Sequence, residues 1–182
     1  MADPLPHPVR IANPDPEWAA TARRHSALIR AFAYPLVRRV EHFGSTAVPG
    51  LAAKPVIDLM PIIERADLLD SLRPALEALG YQWHGDFGIK GRRFCTLENG
   101  GKRLVHVHIY AQDSDQIPPH LIFRDYLRAR PDRAAAYEAE KRRAAALHPD
   151  DSLAYNGEKA DWLQQEMKMA TDWADKTGWT LA

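Results

Sequence analysis

A glycine and a serine, Gly44-Ser45, interrupt an apolar run, and after a short loop one acid follows, Asp58, among Ile57, Leu59, Ile62 and Ile63. Those neighbours predict a core strand, where aspartate is disfavoured. A carboxylate there is costly to bury unless it is paired or bound to a cation. Asp58 is therefore read as a catalytic or metal-binding acid, over the alternative of a buried ion pair with Lys54 or an arginine. Gly44 lets the backbone approach an anion closely, and Ser45 offers that anion a hydroxyl and an N–H. The competing reading is a plain turn whose serine caps a short helix. Lys54, in the same loop, is the candidate cation for a bound anion.

His106-Val107-His108 is the second constellation. Residues two apart on a strand face the same side, so both imidazoles share a face while Val105, Val107 and Ile109 take the other. Imidazole suits zinc, iron, nickel or copper better than magnesium, which prefers oxygen. The pair is read as metal ligands with Asp58, against one structural and one exposed histidine. His42, just before the Gly-Ser turn, carries the same two readings. Arg124 and Arg128 stand one helical turn apart and can clamp a phosphate or carboxylate. Ion pairs with Asp125, Asp132 or Glu138 are their competing use. Lys90, Arg92 and Arg93 form a basic cluster beside Gly88 and Gly91 that reads as solvated surface. Lys159 is a more distant candidate, and Trp162 and Trp173 read as packing.

Elements must position these groups. Residues 1–14 are proline-rich and read as an extended segment over the surface, with a single domain over 15–182. Asp15-Pro16-Glu17 predicts a helix start, and Trp18, Ala22, His25, Leu28, Ile29 and Phe32 its apolar face to Phe32. Strands are predicted over 37–43 and 55–63, then a helix over 67–79 stopped by Gly80. Segments 81–84, 92–98 and 103–110 read as strands, with Asn99-Gly100-Gly101 turning an antiparallel hairpin. Helices follow over 121–129, 131–147 and 156–173. The order predicts an α+β (α/β-like) domain. It is a mixed sheet of about five strands, helices packed on one side, the Gly-Ser turn at the end of a central strand, and a helical C-terminal third.

Composition narrows the partners. The 182 residues carry 24 Lys plus Arg against 24 Asp plus Glu, a net charge of +0 that argues against a general nucleic-acid binder. One cysteine, Cys95, excludes an intrachain disulfide and fits a reducing compartment. No signal peptide or membrane-spanning run is visible, so a cytoplasmic protein with a small-molecule or nucleotide ligand is expected.

Four segments then carry a resemblance in order: Asp15-Pro16-Glu17-Trp18, the run from Glu41 to Pro55 (EHFGSTAVPGLAAKP), His106-Val107-His108, and Phe123-Arg124-Asp125-Tyr126-Leu127-Arg128. Across the whole chain the sequence resembles the GrpB family, placed in the nucleotidyltransferase superfamily. The resemblance implies a nucleotidyltransferase-type fold whose Gly-Ser turn holds triphosphate and whose strand acid holds a divalent metal, Mg or Mn, or Zn through the histidines. Related domains also occur fused to a dephospho-coenzyme A kinase, a hint of nucleotide metabolism. It further implies nucleotidyl or phosphoryl transfer to a small molecule, with a non-catalytic nucleotide-binding or regulatory module as the alternative. Enzymes of that superfamily usually carry a second acid two residues after the first, and here that position is Met60. A thioether does not replace a hard oxygen ligand, so weak or absent Mg-dependent transfer is expected, with nucleotide binding retained.

Overall fold

A computed structural model describes residues 8–181. The chain runs α1 (Glu17–Phe32), β1 (Val37–Phe43), β2 (Ile57–Ile63), α2 (Arg73–Ala78), β3 (Gln82–Trp83), β4 (Arg93–Asn99) and β5 (Lys102–Ala111). Four helices follow, α3 (Ile117–Ala129), α4 (Pro131–Leu147), α5 (Ser152–Glu158) and α6 (Ala160–Thr177). The strands form one mixed sheet in the order β1-β2-β5-β4-β3. β2 and β5 are parallel and every other pair is antiparallel. This is the mixed sheet with a helical C-terminal part that the apolar pattern predicts.

Alternation sorts the two faces of the sheet. Ile57, Leu59, Val105, Val107, Ile109 and Cys95 point to one side and meet Trp18, Ala22 and Ile29 of α1 in the main core. Fully burying a side chain such as Ile29 contributes about 1.5–3 kcal/mol. Phe43, Met60 and Tyr110 point to the other side and pack on Ile117 and Leu121 of α3. Helices therefore cover both faces, not one, because α3 seals the apolar end of the second face. The Gly-Ser turn also departs from expectation. It follows β1, an edge strand, since β2 takes its partners from β1 and β5.

Local chemistry explains the other differences. The helix expected over 67–79 is a 3-10 turn at Ala66–Leu72 followed by α2. Pro74 lacks the N–H that a continuous helix needs, so the chain restarts with proline in its first turn. α3 begins at Ile117, before the expected Leu121, because Pro118 and Pro119 fall in its first turn, where missing donors cost nothing. The last predicted helix is two. Asp151 starts α5 by accepting from Leu153 N and Ala154 N, and Gly178, left-handed at φ 65, ends α6. On α1, Leu28 and Phe32 are exposed rather than part of the buried face. Val9 is buried, and Ala12 bridges Ala53, so the described part of the N-terminal segment docks into the body instead of lying over its surface.

The helical third closes over the loop after the turn through Val48, Leu51, Tyr126, Leu127, Tyr137 and Ala170. Trp162 and Trp173 pack against this cluster, as expected. Glu166, 3% exposed, ties it together by accepting from Tyr126 Oη at 2.9 Å and from the Arg133 guanidinium. Burial opposes ionisation of Glu166, but the Arg133 and Tyr126 hydrogen bonds outweigh it and hold the carboxyl below its usual range. A depressed carboxylate stabilises the fold above its unfolded pKa, and that contribution is lost as pH falls through the folded value. Glu166→Gln is therefore expected to cost about 2 kcal/mol at pH 7. The cost should shrink as pH drops below about 4, toward convergence with wild type. Urea melts across pH check this, and a pH-independent difference would sink the ion-pair account.

Candidate functional site

Register brings the candidate ligands together. On the second sheet face Asp58 stands opposite His106 across the parallel β2–β5 pair, while Phe43 of β1 stands opposite Asp58. β4 places Phe94 beside His108 and Thr96 beside His106. Asp58 Oδ1 lies 3.3 Å from His106 Nδ1 and 3.7 Å from His108 Nε2. One carboxylate oxygen and two ring nitrogens thus lie within 4.8 Å of one another. Their side chains are 27, 23 and 16% exposed, open enough for a ligand to reach and closed enough to weaken hydration.

The Gly-Ser turn shapes the acid. Gly44 has φ 71, and a Cβ there would stand 2.5 Å from Asp58 Oδ2. The close approach that this glycine allows is to the Asp58 carboxylate. Ser45, next in the chain, interacts with the Tyr137 hydroxyl on α4. His42 Nε2 lies 3.0 Å from Thr46 Oγ1, which donates onward to Val56 O at 3.5 Å. That chain pins the turn to the start of β2.

Arg124 and Arg128 hold the turn from behind. Arg124 donates to Glu41 Oε2 at 2.6 Å, to His42 O at 3.1 Å and to Asp125. Arg128 forks onto Ala47 O at 3.0 and 2.8 Å. Both guanidinium groups are engaged within the chain, beside the Asp58 cluster rather than in it. Lys54 is half-buried and feels the Asp58 charge. Arg92, read as solvated surface, is instead 6% exposed. It donates to Asp86 O and Phe87 O, and its Nη1 lies 3.5 Å from His108 Nδ1. Phe87, at φ 49, bends the loop so that both carbonyls reach it. Arg93 pairs with Asp70 on the far side.

Charge states follow from these contacts. Burial opposes ionisation of Asp58, but the hydrogen bonds from His106 and His108 outweigh it, holding the carboxyl far below its usual range. Burial lowers His108 more than Asp58 raises it, so that ring is neutral beside an ionised acid. His42 and His120 are pushed down to about 4, burial being the largest cause for each. Neutral imidazoles are the ligand form.

His106 Nε2 and His108 Nε2 are buried without a hydrogen-bond partner, and the nitrogen that His106 turns to Asp58 is its Nδ1. Two imidazoles and one carboxylate fit a nitrogen-accepting divalent ion such as zinc better than magnesium. Arg92 works against it. A guanidinium can only donate, so His108 Nδ1 accepts, its proton sits on Nε2, and ligation through Nε2 must expel that proton.

Sequence reasoning missed Tyr137, Lys141, Tyr155 and His120. Tyr137 is a lone aromatic in an alanine-rich helix, a signal that was there to use. His120 meets the Phe43 ring, tilted at 56° with centroids 5.1 Å apart, only because α3 folds over β1.

UPF0157 protein YqkA of Bacillus subtilis is 35% identical over 157 residues, 86% of this chain and 46% of that protein. A dephospho-CoA kinase of Mycolicibacterium paratuberculosis is 33% identical over 198 aligned positions, 94% of this chain and 48% of that protein. The chain spans about half the length of these two relatives. The crystal structure of conserved protein GrpB from Enterococcus faecalis matches with TM-score 0.83 at 36% identity, over 88% of this chain and 96% of that one. With the GrpB protein family matching residues 8–169, the chain belongs to the GrpB family.

Proposed function

We propose that this chain binds a nucleotide or another small anionic ligand beside a single divalent ion held by Asp58, His106 and His108, without two-metal nucleotidyl transfer. The observation that carries this reading is the contrast on β2. Asp58 joins two histidines within 4.8 Å, while Met60, two residues on, is fully buried among Phe43, Tyr110, Ile117 and Leu121. The second-acid position is a packing position, and no second hard ligand stands there.

A bound ion would supply positive charge that draws electrons from a ligand's phosphate or carboxylate oxygens. The chain's own residues do the rest. Gly44 leaves space for the Asp58 carboxylate, Ser45 offers its N–H to the ligand while its hydroxyl holds Tyr137, and Lys54 adds a cation from the same loop. Arg124 and Arg128 keep the turn in place through Glu41, His42 O and Ala47 O, so their role is positioning.

Titration calorimetry with zinc and magnesium tests the reading. Zinc is expected to bind one per chain and magnesium far more weakly. Asp58→Asn and His106→Ala should each lower zinc affinity on the order of 100-fold, since each removes one of three donors. Unchanged zinc affinity in Asp58→Asn would remove the ion site. Robust Mg-dependent NTP turnover by wild type, abolished in Asp58→Asn, would restore the transferase reading.

A further inference from the structure

His108 stands between two charges that do not meet. Its Nε2 lies 3.7 Å from Asp58 Oδ1, and its Nδ1 lies 3.5 Å from Arg92 Nη1. Arg92 is 6% exposed, and among the described residues no carboxylate comes within ion-pair distance of it. A buried charge without a partner is costly, so the missing anion calls for an account. Backbone carbonyls satisfy one side of the guanidinium. Nε and Nη2 donate to Asp86 O at 3.2 Å each, and Nη2 also donates to Phe87 O at 2.9 Å. The Asp86 carboxylate turns instead to Gly88 N at 3.1 Å. Nη1 keeps two hydrogens for one contact, that to His108, at the outer limit of hydrogen bonding.

A second buried group points the same way. The Tyr110 hydroxyl is fully buried and makes no hydrogen bond of good geometry. It is close enough to Arg92 for each to perturb the ionisation of the other. His106, His108 and Tyr110 alternate along β5, so all three share the sheet face that carries Asp58. The Phe94 and Phe43 rings meet His108 edge-on, with centroids 5.0 and 5.2 Å away. Arg92 lies 5.1 Å from the centre of the Phe94 ring. These walls hold the guanidinium but bring no oxygen to it. A cation on Asp58, His106 and His108 would face the Arg92 charge across the His108 ring, where little water screens the two.

We propose that Arg92 and Tyr110 form a carboxylate subsite, and that a cation at Asp58 binds well only with a carboxylate seated there. This deepens the preceding reading and rests on its ion site, naming the anionic group of the ligand. A carboxylate between two cations replaces their repulsion with two attractions, so each ligand raises the affinity of the other by the same factor. Arg92 Nη1 and Tyr110 Oη supply donors to one oxygen and leave the other to the ion. A phosphate would turn its remaining oxygens onto Phe43 and Phe94, which have no donor to give.

Zinc titrations of the full chain, in sodium acetate or sodium chloride at equal ionic strength, read the coupling. Wild type should bind zinc about tenfold more tightly in acetate. Arg92→Met should bind zinc more tightly than wild type in chloride and gain nothing from acetate. Tyr110→Phe keeps the ring and its packing, so it serves even where Arg92→Met fails to fold. It should lose most of the acetate gain. Arg93→Met removes an equal charge at the next position, where Arg93 pairs with Asp70, and should behave as wild type. Equal wild-type affinity in the two salts would overturn the subsite, as would an acetate gain retained in both Arg92→Met and Tyr110→Phe. Zinc tightened as much by Arg93→Met as by Arg92→Met would reduce the effect to net charge and overturn it too. Methyl phosphate that outdoes acetate would overturn the assignment to a carboxylate. The two readings fail in different ways. No zinc binding in either salt removes the ion site and the subsite with it, whereas zinc binding that ignores acetate removes the subsite alone.

Discussion

Met60→Asp is expected to destabilise the fold by about 3–5 kcal/mol and to restore no magnesium chemistry. Met60 is fully buried, and none of its neighbours Phe43, Tyr110, Ile117 and Leu121 carries a countercharge. The substitution removes packing and buries a carboxyl at once. The new acid would stay protonated in the folded chain to a higher pH than in the unfolded one. Linkage then runs opposite to that of a paired carboxylate. The folded state binds more protons, so stability falls as pH rises above about 4, by up to about 1.4 kcal/mol per unit. Urea melts of Met60→Asp at pH 5 and pH 8 read this slope. Met60→Leu, which keeps the volume, should cost less than about 1.5 kcal/mol and show no such slope. A Met60→Asp protein as stable as wild type that gains tight magnesium binding would show this position to be an open ligand site after all.

Gly44→Ala should damage fold and site together. Its backbone, at φ 71 and ψ -172, lies in a region that is essentially glycine's alone and costs a side chain about 1–3 kcal/mol. Here the added Cβ would also fall 2.5 Å from Asp58 Oδ2, a separation that forces the turn or the acid to move. The total is expected to reach about 2–3 kcal/mol, with zinc affinity reduced at least about tenfold because Asp58 leaves the two histidines. Gly50 supplies the control. It too has positive φ, at 77, but an added Cβ meets nothing within 4 Å. Gly50→Ala should cost only the backbone penalty and leave zinc binding unchanged. Equal effects from the two alanines, read by urea melts and calorimetry, would show that the Gly44–Asp58 contact does not matter.

Several decisive features were legible because they are local. Strand alternation placed His106 and His108 on one face and the valines on the other, since a pleated backbone turns successive side chains by half a turn. The apolar run around Asp58 marked a core strand, and Asn99-Gly100-Gly101 marked the hairpin. Proline chemistry was written in the sequence as well. Pro74 splits a predicted helix and Pro118 extends another, both because proline has no N–H to give.

What the sequence determined by itself, then, is which side chains share a face of their own strand, and which segments can be strands or helices. Tertiary structure alone decided that Asp58 pairs with His106, because β5 reaches β2 only after the chain has built α2, β3 and β4. It decided that Arg124 and Arg128 brace the turn from α3, and that Arg92 is buried against His108. The physical reason is the range of the forces. Backbone geometry acts over a few residues and shows as spacing. Register and docking are settled by apolar burial summed over elements far apart in the chain, and charged side chains take whatever partners that burial leaves beside them.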